Sequence, residues 1–129
     1  MKEARDKKPG LRQGKRERYM QASILLGLYG NPSYGYELIR NIQRFGFVEG
    51  QAPPGMIYRH LRQLEEIGLV SSEWNTESAG PAKRMYSLTE EGKETLALWA
   101  DYMDEQAKTL SAFVKEFQKV RKERGEHRR

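Results

Sequence analysis

The chain is expected to fold as a mostly helical α+β protein, with three short helices, a two-stranded hairpin and one long terminal helix. Three observations carry this expectation. Apolar residues recur at helical spacing over residues 18–29, 34–45, 54–67 and 89–124. Between Val70 and Leu88 the period drops to two. Pro, Gly and Asn punctuate the switches.

The first helix is read over Arg18 to Tyr29, where Tyr19, Met20, Ile24, Leu25 and Leu28 make an apolar side too broad for a solvent-exposed helix. "GNPSYG" breaks it with turn chemistry. Ser33 is placed to cap a second helix over Tyr34 to Phe45, with Tyr36, Leu38, Ile39 and Ile42 inward and Gly46 at its end. The third helix opens after "FVEGQAPP", with Pro54 in the first turn, where a missing N–H costs nothing, and Gly68 at the left-handed C-terminal position. Val70, Ser72 and Trp74, and then Met85 to Leu88, alternate around the turn-rich "TESAGPAK", which predicts the hairpin.

Thr89 is suited to cap the last helix, with Glu90 and Glu91 at the positive end of its dipole. That helix extends to about Arg124, roughly 35 residues or about 50 Å. A compact domain of this size has a radius of gyration of only about 14 Å. Its seam, Leu96, Trp99, Met103, Gln106, Leu110, Phe113, Phe117, Val120, steps by three and four like a heptad, which implies a second chain. Three helices, a hairpin and a long helix in this order are the pattern of a winged helix-turn-helix with a dimerisation helix. The expected organisation is a flexible basic arm over 1–17, the winged domain over 18–88, the dimerisation helix over 89–124 and a basic tail over 125–129.

Composition narrows the function classes. The 129 residues suit one modest core, and the absence of cysteine removes disulfides, thiolate metal sites and thiol nucleophiles. It also suits a reducing cytoplasm. No secretory leader is apparent and no apolar run approaches the roughly 18–20 residues of a membrane span. The net charge of +5 is unevenly spread: +5 over residues 1–18, −4 over 19–114 and +4 over 115–129. Basic ends suit a polyanion partner, or serve only solubility. With two histidines, scattered carboxylates, no glycine-rich phosphate cradle and no Ser/His/Asp constellation, neither a catalytic nor a metal site is expected, and no cofactor.

Projected at about 100° per residue, Ile57, Leu61 and Leu64 of the third helix form one apolar stripe flanked by Tyr58 and Ile67. The opposite side carries Gly55, Met56, Arg59, Arg62, Gln63 and Glu66. In a helix-turn-helix the second helix of the pair enters the major groove, where Arg suits guanine O6/N7, Gln suits adenine N6/N7 and an apolar tip suits a thymine methyl. Arg59, Gln63 and Met56 are therefore the expected base-reading edge. Arg62 and Glu66 have the spacing of an ion pair within one helix, and His60 leans toward the core. In the hairpin loop, Lys83 and Arg84 of "GPAKR" are placed to reach a phosphate or a minor groove.

The blocks "YGYELI" (34–39), "GMIYRHLRQLEEIGLVSSEW" (55–74) and "GPAKRMYSLTEEG" (80–92) resemble, in order and spacing, the PadR family of bacterial transcriptional regulators. The resemblance covers about residues 18–120. It implies a homodimeric repressor of double-stranded operator DNA, with the first and last helices, Tyr19 and the seam among them, forming the dimer interface and an effector lodged nearby. It also implies Tyr36 and Tyr58 at or near the DNA, and a wing from Gly80 to Arg84 over the adjacent groove. Where the family usually has Thr or Ser this chain has Met56, so operator preference does not carry over from relatives. "SEWNTESAGPAKRMYSLTEEG" followed by "LWADYM" looks most like repressors that respond to polyhydroxyalkanoate storage polymer. By the same resemblance Trp99, beside Met103, is either the platform for a small aromatic effector or core packing. The competing reading is a module that keeps the winged scaffold but binds a protein or granule surface, since residues 19–88 hold six basic and six acidic residues.

Overall fold

The computed structural model describes residues 15–47, 53–76 and 80–126. Most of the expected basic arm, the end of the basic tail and the centre of the hairpin loop lie outside the described residues. The chain forms two compact units, Met1–Trp99 and Ala100–Arg129.

In the first unit the described elements are α1 (Lys15–Tyr29), β1 (Ser33–Tyr34), α2 (Gly35–Asn41) continued by a 3-10 turn (Ile42–Phe45), α3 (Pro54–Glu66), β2 (Val70–Asn75), β3 (Lys83–Leu88) and the start of α4 (Glu90–Glu123). Ile24, Leu25, Leu38, Ile42, Ile57, Leu61, Leu64 and Leu69 are fully buried and make the core. α1 packs against α2, α3 and β3, and α3 packs against α2 and β2. Burying an aliphatic side chain contributes about 1.5–3 kcal/mol, against about 1 kcal/mol for a helix cap. The Ile57–Leu61–Leu64 stripe therefore outweighs the missing side-chain cap at Pro53 in seating α3.

The sheet has a third strand. β1 pairs antiparallel with β3, Ser33 opposite Tyr86 and Tyr34 opposite Met85, and β3 pairs with β2 from Val70–Leu88 to Asn75–Lys83, giving the order β1-β3-β2. This corrects the reading of Ser33 as a cap: Ser33 is in the strand, and the backbone N–H of Tyr34 donates to Glu37 Oε1 at 2.9 Å at the start of α2. Gly35, Leu38, Ile39 and Ile42 form the buried stripe of this segment, so Tyr36 points outward, 47% exposed, where an inward side chain was expected. Lys83 and Arg84 open β3, opposite Asn75 and Trp74, in the ladder pairs next to the hairpin loop, so they stand at the base of the wing loop and not in it.

The expected helix ends hold. Gly68 follows α3 with φ 87°, a left-handed conformation that glycine adopts without strain. Thr89 Oγ1 accepts from the Gly92 N–H at 2.9 Å and donates to the Gly68 carbonyl at 2.7 Å, tying the start of α4 to the end of α3. A Cβ at Gly92 would collide with the Leu69 carbonyl oxygen and lie 2.6 Å from Leu88 Cδ1, so this close approach requires glycine.

The second unit is the remainder of α4. Leu110, Phe113, Phe117 and Val120 are exposed along it, and an Asp104–Lys108 ion pair at 3.2 Å spans one turn of its polar side. Gly125, with φ 79°, follows the helix end. No helix among the described residues is long and apolar enough to cross a membrane.

Candidate nucleic-acid interface

A cleft of about 370 Å³ opens between β1 and α2 on one side and α3 and the base of the wing on the other. Its aromatic wall is Tyr34, Tyr36, Tyr58 and Trp74, and its cations are Lys83 and Arg84. The tyrosines are fixed by packing. Tyr34 and Tyr36 stack with ring centroids 5.7 Å apart, and Asn75 Nδ2 donates to Tyr34 Oη at 2.6 Å. Tyr58 lies over Gly35, where a Cβ would come within 2.6 Å of the phenol oxygen.

The two wing cations lie on these rings. Lys83 Nζ sits 5.4 Å from the Tyr36 centroid and 5.8 Å from that of Tyr34, and the Arg84 guanidinium sits 5.0 Å from the Trp74 ring. Arg84 is also braced by hydrogen bonds: its Nε donates to Ser72 Oγ at 3.0 Å, and Ser72 donates in turn to Glu65 Oε2 at 2.8 Å. The wing base is thereby joined to α3. Tyr86, at the back of the cleft, has its phenol pKa raised by burial, with the nearby Arg84 charge acting in the opposite direction. An aromatic floor with two held cations is suited to an anion presented on a flat or sugar-bearing scaffold.

The outer edge of α3 adjoins this cleft through Tyr58. Gly55, Arg59, Arg62 and Gln63 are exposed and Met56 is half-buried. The charge pairing differs from the expected one. Among the described residues Arg59, and not Arg62, has a carboxylate partner: its Nη2 lies 3.8 Å from Glu17 Oε2 of α1, with the two side chains 52% and 49% exposed. An ion pair this exposed contributes about 1 kcal/mol or less, so it sets a pose without locking it.

Behind the edge is a polar contact invisible in the linear sequence. Gln21 of α1 is buried, and its Nε2 lies 3.1 Å from His60 Nδ1 and donates to Gln63 Oε1 at 3.2 Å. His60 is 1% exposed, in the core as expected. Burial, and next the adjacent Arg59 charge, push its pKa below the usual 6.5, so the imidazole is neutral near pH 7, and Nδ1 accepts when the proton sits on Nε2. The signal that could have found Gln21 is a lone amide in the run Met20 to Leu25, every member of which is buried.

The residues placed on the helix seam fall in different surroundings. Trp99 is buried, Leu96, Met103 and Gln106 are half-buried, and Leu110, Phe113 and Phe117 are exposed. Tyr19 stacks on Phe47 with centroids 4.6 Å apart. Among the described residues no cluster of His, Asp or Glu could hold a metal ion.

The model of the transcriptional regulator PadR-like family matches residues 24–98, more than half of the chain. The chain belongs to the PadR-like family. It is 32% identical over 77 residues to a Mycobacterium tuberculosis protein described as a probable transcriptional regulator (Rv1176c), a match covering 60% of this chain and 41% of that one. It thus spans less than half the length of that relative. Among solved structures it is similar to a PadR family regulator from Clostridium difficile, with TM-score 0.66 and 25% identity over 74% of this chain and 98% of the other. A conserved protein described as a potential transcriptional factor superposes with TM-score 0.73 at 31% identity, over 84% of this chain and 95% of that one. Bacillus subtilis PadR, solved in complex with operator DNA, matches with TM-score 0.55 and 25% identity over 62% of this chain and 46% of its own. The PadR-like match takes in α2, α3, the wing and the start of α4, and so the whole cleft and the outer edge of α3. Family and structural neighbours are transcription regulators, which weighs against catalysis.

Proposed function

We propose that this PadR-like regulator is a sequence-specific, double-stranded-DNA-binding repressor that acts as a homodimer in the cytoplasm and is released by a small aromatic or metabolite effector. The observation that carries the DNA part is the convergence of α2, α3 and the wing base on one cleft lined by tyrosines, Lys83 and Arg84. Beside it, the exposed edge of α3 with Arg59, Gln63 and Met56 has the residue types that read base edges. On this reading Tyr36, Tyr58, Lys83 and Arg84 contact the backbone and Gly55 lets a strand approach the helix start. The relative solved with operator DNA supports the assignment by analogy.

The dimer part rests on the exposed, heptad-spaced Leu110, Phe113, Phe117 and Val120, and would place two α3 helices in major grooves about one helical turn apart. The effector part rests on family resemblance. The storage-polymer subgroup rests only on the resemblance of residues 72–92 and 98–103. Trp99 is buried within the chain, so its emission should be blue-shifted relative to that of the exposed Trp74.

The test is fluorescence anisotropy with DNA from upstream of the chain's own coding region at several salt concentrations. Specific binding that weakens steeply with salt is expected. Arg59→Ala should cost about 1–3 kcal/mol at one base position. An Arg59→Ala protein with unaltered DNA behaviour would point instead to the protein-surface module that the even charge balance of residues 19–88 also suits.

A further inference from the structure

We infer that Gln21 on α1 is a specificity-determining positioning residue, which holds the Gln63 amide with its carbonyl turned back so that Gln63 presents N–H donors and reads guanine. The inference rests on the reading above that Gln63 meets a base edge.

The two short contacts of Gln21 Nε2 go to His60 Nδ1, at 3.1 Å, and to Gln63 Oε1, at 3.2 Å. A neutral amide nitrogen has two N–H groups and accepts nothing, so both contacts are donations. Three consequences follow. His60 is then the Nε2–H tautomer, its buried Nε2 having no hydrogen-bond partner among the described residues. Gln63 Oε1 is held toward α1 and the imidazole. Its amino group is then the part of the amide left for a ligand. At 4% exposure Gln21 has little access to bulk water, so the Gln63 orientation that satisfies it is favoured before any DNA arrives.

A freely turning glutamine matches adenine, donating to N7 and accepting from the N6 amino group. A glutamine offering only N–H donors matches guanine, which places the N7 and O6 acceptors side by side. The clasp thus converts the expected adenine reader into a guanine reader without changing the residue on α3.

The test is selection from a randomised half-site library with the full chain, Gln63→Ala and Gln21→Met, the last checked for native folding by its amide NMR spectrum. Gln63→Ala identifies the base pair that Gln63 reads. Wild type should prefer guanine there, and Gln21→Met, which frees the amide, should shift the preference toward adenine by roughly five-fold or more. Wild-type preference for adenine, or a natively folded Gln21→Met protein with unchanged preference, overturns the inference. If Gln63→Ala alters no base pair, base reading by Gln63 fails and the inference falls with it. A readout independent of DNA is the ring-nitrogen NMR pattern of His60 in the unmodified protein. The Nε2–H tautomer is expected, and the Nδ1–H tautomer overturns the clasp even if DNA binding stands.

Discussion

A Cβ built at Gly55 meets no atom within 4 Å, so nothing among the described residues requires glycine in the first turn of α3. Alanine there should leave stability unchanged or raise it by up to about 0.5–1 kcal/mol, because glycine is the poorer helix former. The same methyl would stand between the helix start and a DNA strand, so Gly55→Ala should weaken DNA binding. Urea denaturation and anisotropy on one preparation separate the two effects, and unaltered DNA affinity would remove Gly55 from the interface. His60 supplies a second residue-scale prediction. Its folded pKa lies below 6.5, so the unfolded chain binds the proton more readily. Its contribution is level at higher pH, and stability falls as pH drops through 6.5 toward the folded value. Denaturation midpoints at pH 7.5 and 5.5 should show this slope, and His60→Gln should reduce it. The burial of His60 was legible in its place beside the Ile57–Leu61–Leu64 stripe. Its partner was not, because Gln21 is 39 residues away in sequence and no local periodicity links the two.

Between elements, the junction of α3, β2 and α4 decides how rigidly the reading helix is held. Gly92→Ala would press a methyl into the backbone oxygen of Leu69, which cannot turn aside as a side chain can. The expected loss is about 1–3 kcal/mol or more, read as a lowered urea midpoint. A midpoint within error of wild type would mean that α4 starts differently. The ends of α3 and the start of α4 were legible because Pro54, Gly68 and Thr89 act within a few residues of themselves. β1 was not. Two residues are too few to show a period, and Ser33–Tyr34 became a strand only because β3, about fifty residues on, offers unpaired backbone groups. The same long-range pairing moved the start of α2 to Gly35. Arg59 likewise gained Glu17, on another helix, where the i,i+4 rule favoured the local Arg62–Glu66 pair. Local chemistry was readable from the sequence, whereas cross-element partners were not.

For the molecule as a whole, the heptad seam of α4 is the feature that the single chain leaves exposed, with Leu110 at 65% and Phe113 at 73%. Placing charge on it, as in Phe113→Glu with Phe117→Glu, should halve the mass seen by light scattering if the chain is a dimer through this seam. It should leave the helical circular dichroism of the first unit in place. An unchanged mass would move the dimer contact elsewhere. On the proposed function, the outer edge of α3 reads DNA sequence. The most direct measurement of this is the anisotropy titration of Arg59→Ala against wild type on the selected operator and on single-base variants of it, at fixed salt. Arg59→Ala should bind about 5-fold or more weakly to the operator and no longer distinguish variants at one base pair, a loss of roughly 1–3 kcal/mol. Equal affinity and equal discrimination by the two proteins would contradict it.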